Sequence, residues 1–143
     1  MNKFNKILVI DDDVTANFLT EKIIKFLDVS DNIEFFLNGK PALDQILRDC
    51  LREKAPQRLI LLDMEMPVMD GVQFLKAFSK LKIDKANIHI ALLTTTSPNS
   101  AKIKTIKAMG LKYFIDKPLE ITKLKILCEK IWEENPQKFL YLD

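Results

Sequence analysis

The stretch Leu59-Ile60-Leu61-Leu62-Asp63 constrains this chain more than any other. Four apolar side chains in a row do not alternate between a core face and a solvent face. A strand built from them is therefore buried on both sides, as in a parallel sheet covered by helices. The run ends abruptly in a carboxylate, followed by Met64-Glu65-Met66-Pro67 and Asp70-Gly71. Asp63 would then stand at the carboxyl end of a central strand, where open α/β sheets hold their ligands. Other apolar runs end in a similar way: Ile7–Ile10 in Asp11-Asp12-Asp13, Ile90–Leu93 in Thr94, and Tyr113–Ile115 just ahead of Lys117-Pro118. If all four runs are parallel strands of one sheet, these polar side chains converge on one edge.

The remaining segments support that arrangement. Lys6–Ile10 reads as the first strand. A helix over Val14–Leu27 follows, with Phe18, Leu19, Ile23, Phe26 and Leu27 at helical spacing. Residues 32–37 form a strand of mixed polarity, placed at the sheet edge. Pro41 suits the first turn of a helix over residues 42–51, with Leu43, Ile46, Leu47 and Cys50 on one face. After Gly71, a helix runs through Val72, Phe74, Leu75, Phe78 and Leu81. The strand Ile88–Leu93 and a helix through Ile103, Ile106 and Met109 come next, the helix preceded by capping residues in Ser97-Pro98-Asn99-Ser100 and stopped by Gly110. The strand Tyr113–Ile115 and a helix over 121–132 complete the set, and Asn135-Pro136 ends that helix. Five strands alternating with five helices imply an α/β fold, a doubly wound five-stranded parallel sheet with right-handed crossovers. One domain over 1–134 and a short tail over 135–143 are expected.

Composition narrows the function classes. A net charge of +2 over 143 residues is too mild to imply nucleic acid. The apolar run near the amino terminus is too short for a signal peptide or a membrane span, so a cytoplasmic protein is expected. Cys50 and Cys128 lack metal-ligand spacing and read as reduced packing residues. His89, the one histidine, reads as a half-buried strand residue rather than a phosphodonor.

The converging residues point to a chemistry. Asp11, Asp12 and Asp63 crowded together repel one another unless a cation compensates. Mg²⁺ does this with few protein oxygens while sharing substrate phosphates. Lys117 supplies a fixed positive charge for Asp63 and then for phosphoryl oxygen, and Thr94 supplies a hydroxyl donor. A carboxylate nucleophile flanked by metal and ammonium suits phosphoryl transfer, which is mostly positioning and charge neutralisation.

At Ile7–Asp13, Leu61–Pro67 with Asp70-Gly71, Leu92–Thr94 and Asp116–Pro118, the chain resembles the receiver domains of two-component response regulators, over about Lys6 to Trp132. The resemblance implies a flavodoxin-like strand order 2-1-3-4-5. It implies that Asp63 accepts a phosphoryl group from a phosphohistidine of a histidine kinase or histidine phosphotransfer protein. It implies Mg²⁺, with Mn²⁺ able to substitute, held by Asp11, Asp12, Asp63 and the backbone carbonyl of Glu65. Lys117 would bind the phosphoryl group, and its peptide bond to Pro118 would be cis. Thr94 would move toward the phosphoryl group, and Phe114 matches the family's switch aromatic. The output would be a repacked face of the fourth helix, fifth strand and fifth helix. Little chain follows Trp132, so a stand-alone module is expected, with no enzymatic activity beyond its own phosphorylation and dephosphorylation, and an unknown protein target.

Plainer readings stand beside these. Asp13 and Asp70 suit helix caps. Thr95 and Thr96 adjoin Thr94, and Phe114 is equally a packing aromatic. The lysines at 102, 104, 107, 112, 123, 125 and 130 form a solvated face or dock an acidic partner. The apolar tail Lys138-Phe139-Leu140-Tyr141-Leu142 packs back or binds a partner. Two functional alternatives remain: an adaptor that binds without phosphorylation, and a haloacid dehalogenase-type phosphatase with Asp11 as nucleophile in Asp11-Asp12-Asp13-Val14-Thr15.

Overall fold

Five strands form one parallel sheet: β1 (Lys6–Ile10), β2 (Ile33–Phe36), β3 (Arg58–Asp63), β4 (Ile88–Thr94) and β5 (Tyr113–Asp116), in the order β2-β1-β3-β4-β5. This is the flavodoxin-like arrangement. The computed structural model of the chain describes residues 3–52, 56–95 and 99–139. Among them, α1 (Val14–Leu27), α2 (Gly39–Arg52), α3 (Gly71–Ser79), α4 (Ala101–Ala108) and α5 (Ile121–Glu134) alternate with the strands, and a short α6 (Pro136–Phe139) follows.

All six residues of β3 are buried, as its unbroken apolar run requires of a central strand. The pleat sends alternate residues to two cores. Ile7, Val9, Leu59 and Leu61 face α1 and α5, meeting Ile24, Leu124, Leu127 and Ile131. Leu8, Ile10, Ile60 and Leu62 face α2, α3 and α4, meeting Ile46, Phe74, Phe78 and Ile106. The register pairs Ile10 with Leu62, Asp63 with Leu93 and Thr94 with Asp116, so the strands end nearly level. Their polar ends therefore share one edge.

Several local expectations are refined. α2 starts at Gly39, where the Asn38 side chain accepts from Lys40 N at 2.8 Å. β4 and β5 each extend one residue further, to Thr94 and Asp116. The helix α1 has the expected bounds, and Ile23 and Leu27 of its expected apolar stripe pack on the core, but the other three members of that stripe do not. Asn17, Thr20 and Ile24 are buried, while Phe18, Leu19 and Phe26 are 56–73% exposed. Apolar side chains on both faces of α1 made periodicity ambiguous there, and sheet packing chose the face carrying Ile24.

Phe139 turns back onto the domain. It is 1% exposed and packs edge-on to Phe4, with ring centroids 5.3 Å apart, and against His89 and Trp132. Residues 140–143 lie outside the described part. Cys128 is buried and Cys50 half-buried, both as free thiols. No helix among the described residues is long and apolar enough to cross a membrane.

Candidate functional site

At the carboxyl edge of the sheet, carboxylate oxygens of Asp11, Asp12 and Asp63 lie within 4.8 Å of one another. Asp11 and Asp63 are buried, and Asp12 is exposed. Lys117 Nζ stands 2.5 Å from Asp63 Oδ1 and 3.5 Å from Asp11 Oδ2. Burial pushes the Asp63 carboxyl above the ordinary carboxylate range; Lys117 opposes that, while Asp11 and Asp12 add to it. Burial works against the Lys117 ammonium, but Asp63 and Asp11 hold its pKa above the usual lysine value. Among the described residues, the site therefore carries three carboxylates around one ammonium. A hard cation fits that donor set, because three clustered oxygens offer it charge and ligands while leaving other positions for water.

Local backbone features hold these groups in place. Asp11 Oδ1 accepts from Asp13 N at 2.9 Å, and Asn17 Nδ2 donates to the Asp11 carbonyl at 2.9 Å. Asp13 caps α1, accepting from Thr15 N and Ala16 N, so its carboxylate is engaged away from the cluster. Asp70 and Gln73 form a capping box at the start of α3. Gly71 lets α3 begin against the end of β3: a Cβ there would stand 3.1 Å from Met64 Cα. Between them, Met69 N donates to Pro67 O at 2.8 Å, a γ-turn centred on Val68 at φ 71°. The Glu65 side chain points outward, 3.8 Å from Lys102.

Thr94 ends β4, 5% exposed, and its carbonyl accepts from Lys117 N at 3.1 Å. Thr95 is exposed and Thr96 lies outside the described residues. The Lys117–Pro118 peptide is cis. Phe114 is half-buried with Lys107 Nζ 5.5 Å from its ring centre, a geometry compatible with either reading of this aromatic. A cleft of about 290 Å³ opens beside the cluster, lined by Asp11, Leu19, Thr95, Lys117 and Leu119.

The sequence profile of the response regulator receiver domain matches residues 7–129. The chain belongs to this family. Among its relatives, the receiver domain is 30% identical over 124 residues to Two-component response regulator 24 of Arabidopsis thaliana, covering 87% of this chain and 81% of that one. It is 35% identical over 128 residues to a protein-glutamate methylesterase/protein-glutamine glutaminase of Clostridium acetobutylicum, covering 84% of this chain but 33% of that protein. The chain thus spans about a third of that relative's length. Among solved structures, the chemotaxis protein CheY4 of Vibrio cholerae matches with a TM-score of 0.72 at 26% identity, covering 90% of this chain and 98% of that one.

The residues of this receiver domain that meet at the edge are legible in the sequence, but the role of Asn17 is not. That side chain is 7% exposed and ties α1 to the Asp11 carbonyl. The available signal was a polar residue on the helix face that turns toward the sheet, which propensity alone disfavours in a buried position. The packing role of Gly71 was also invisible, because its neighbours Met64 and Leu92 come from separate strand ends.

Proposed function

We propose that this receiver domain takes a phosphoryl group onto Asp63 from a phosphohistidine of a histidine kinase or histidine phosphotransfer protein. The observation that carries this is the Lys117 ammonium 2.5 Å from the Asp63 carboxylate, inside a cluster of three aspartates. An Asp63 oxygen attacks the phosphorus, the P–N bond breaks, and the imidazole nitrogen leaves with the electron pair. Lys117 already sits at the nucleophile and follows the charge onto the new phosphoryl oxygens. Asp11, Asp12, Asp63 and the carbonyl of Glu65 would hold Mg²⁺, with Mn²⁺ as a substitute, and the ion when bound supplies neutralisation of phosphoryl charge. Exposed Leu19 beside the cleft gives a donor protein an apolar contact next to the nucleophile.

Thr94 would donate to a phosphoryl oxygen, and its movement would be read by Phe114 and by the α4–β5–α5 face. Signalling then works by altered affinity for a protein target, and the only chemistry the domain performs is its own phosphorylation and dephosphorylation. The test is incubation with acetyl phosphate and Mg²⁺, followed by intact mass. One hydroxylamine-labile phosphoryl group on the wild type and none on Asp63→Asn is expected. A wild type left unmodified, while another receiver is labelled in parallel, rejects the reading.

A further inference from the structure

A second cleft, of about 530 Å³, opens at the opposite end of the sheet, where β4 and β5 begin. β4 has seven residues, from Ile88 to Thr94. At about 3.3 Å per residue, this cleft is roughly 20 Å from the acidic cluster. Nothing in the Asp63 chemistry uses it. Part of its lining is apolar, contributed by Phe78, Ile90 and Leu111 among others. Lys85, Lys112 and Lys138 stand around it, and none of its described lining residues is acidic.

Two of these ammonium groups are anchored by carbonyls, with no carboxylate partner among the described residues. Lys85 Nζ donates to Ser79 O at 3.1 Å and Leu81 O at 2.7 Å, and it lies 5.6 Å from the Phe78 ring centre. Lys138 Nζ donates to Ala86 O. Carbonyl partners fix the position of a cation but leave its charge for another ligand. His89, 7% exposed, forms part of the wall, with Nε2 3.0 Å from Gln57 Oε1. Burial, then Lys138 and Lys112, push its pKa down to about 4, so the ring is neutral near pH 7 and the lysines supply the charge.

Apolar lining gives nothing to a small inorganic ion, and three ammonium groups with no carboxylate partner among the described residues do not favour a neutral molecule. The volume falls within the roughly 300–1,000 Å³ of small-molecule sites. We propose that this cleft binds a small amphipathic anion, with an apolar body over Phe78, Ile90 and Leu111 and one carboxylate or phosphate group held by Lys112 and Lys138. The site is separate from the phosphoacceptor, and occupancy requires no phosphorylation.

The single histidine makes the test direct, because its ring signals are unambiguous and it stands in the wall of this cleft. Untagged full-length protein is titrated with phenyl phosphate, phenylacetate and benzyl alcohol, following the His89 ring by NMR. At least one anion shifts His89 saturably and binds about tenfold or more tightly than the alcohol; the tighter anion identifies the head group. Lys112→Glu with Lys138→Glu, both at exposed positions, weakens that anion about tenfold or more at unchanged thermal stability. Three results overturn the proposal: no saturable shift by either anion up to about 10 mM, equal binding of the alcohol, or undiminished binding by the double variant.

Discussion

Lys117 Nζ lies 2.5 Å from Asp63 Oδ1 although β5, which leads into the lysine, and β3, which ends in the aspartate, are separated in the sheet by β4. The side chain reaches across the end of the intervening strand, where Thr94 gives its carbonyl to the Lys117 amide. The contact therefore depends on strand register as well as on charge. It places an ammonium beside a carboxylate that is buried among like charges.

Asp63 stands among like charges, and in the absence of added divalent ion Asp63→Asn should stabilise the domain. The amide keeps the shape and removes a buried charge from a crowded cluster, a gain of about 1 kcal/mol. Urea unfolding of both proteins measures it. Millimolar Mg²⁺ should raise the wild-type midpoint and move the variant much less.

Removing the cation should act in the opposite direction. Lys117→Met leaves Asp63 beside Asp11 and Asp12 with no ammonium, and the expected loss is about 1–3 kcal/mol. In an Asp63→Asn background the same substitution should cost clearly less. Equal losses in both backgrounds would mean that the ion pair contributes nothing to stability.

At the other end of the sheet, Asp49 is 3% exposed and takes Lys6 Nζ at 2.8 Å and Gln45 Nε2 at 2.7 Å. Burial alone would push its carboxyl pKa up, but Lys6 and Gln45 hold it below the ordinary value. A lowered folded-state pKa contributes stability that is complete above the unfolded pKa of about 3.9 and lost as pH falls through the folded value. Asp49→Asn should therefore cost about 2–3 kcal/mol at pH 7, and the gap from wild type should shrink below about pH 4. Unfolding curves at several pH values check the sign.

The two faces of α1 should respond differently. Phe26 is 73% exposed, so Phe26→Ser should change stability by no more than about 0.5 kcal/mol. Ile24 is fully buried in the core against β1 and β3, and Ile24→Ala should cost about 2–4 kcal/mol. Denaturant midpoints of the pair test the observed orientation of the helix.

Phe139 fills the space between Phe4, His89 and Trp132. Phe139→Ala should cost about 3 kcal/mol and expose Trp132, shifting its fluorescence to the red before any unfolding. A tail residue that merely awaited a partner would show neither change.

Much of this protein was legible from local pattern. The Leu59–Leu62 run demanded a strand covered on both faces, and the punctuation by Asn38-Gly39, Asp70-Gly71 and Gly110 marked where helices begin or end. The polar residues closing each run could be assigned to one edge because parallel strands all point the same way. Asp13 and Asp70 read correctly as caps, since capping depends on neighbours within three residues. What failed or stayed open involved distant partners. Periodicity could not decide which side of α1 meets the sheet, because Phe18 and Phe26 carry as much apolar signal as Ile24. Asn17 and Gly71 take their meaning from atoms of Asp11 and Met64, and Phe139 from Phe4, which is far away in the chain.

By itself, then, the sequence determined the order of strands and helices, the buried character of the central strand and the identity of the groups at its end. Backbone propensity and side-chain spacing act over a few residues and need no knowledge of the rest. The tertiary structure alone decided that Asp63 meets Lys117 at 2.5 Å, which flank of α1 is covered, and that three lysines gather around a cleft below β4. Those outcomes follow from strand register and close packing, which couple residues far apart along the chain and choose among arrangements that local pattern leaves equal.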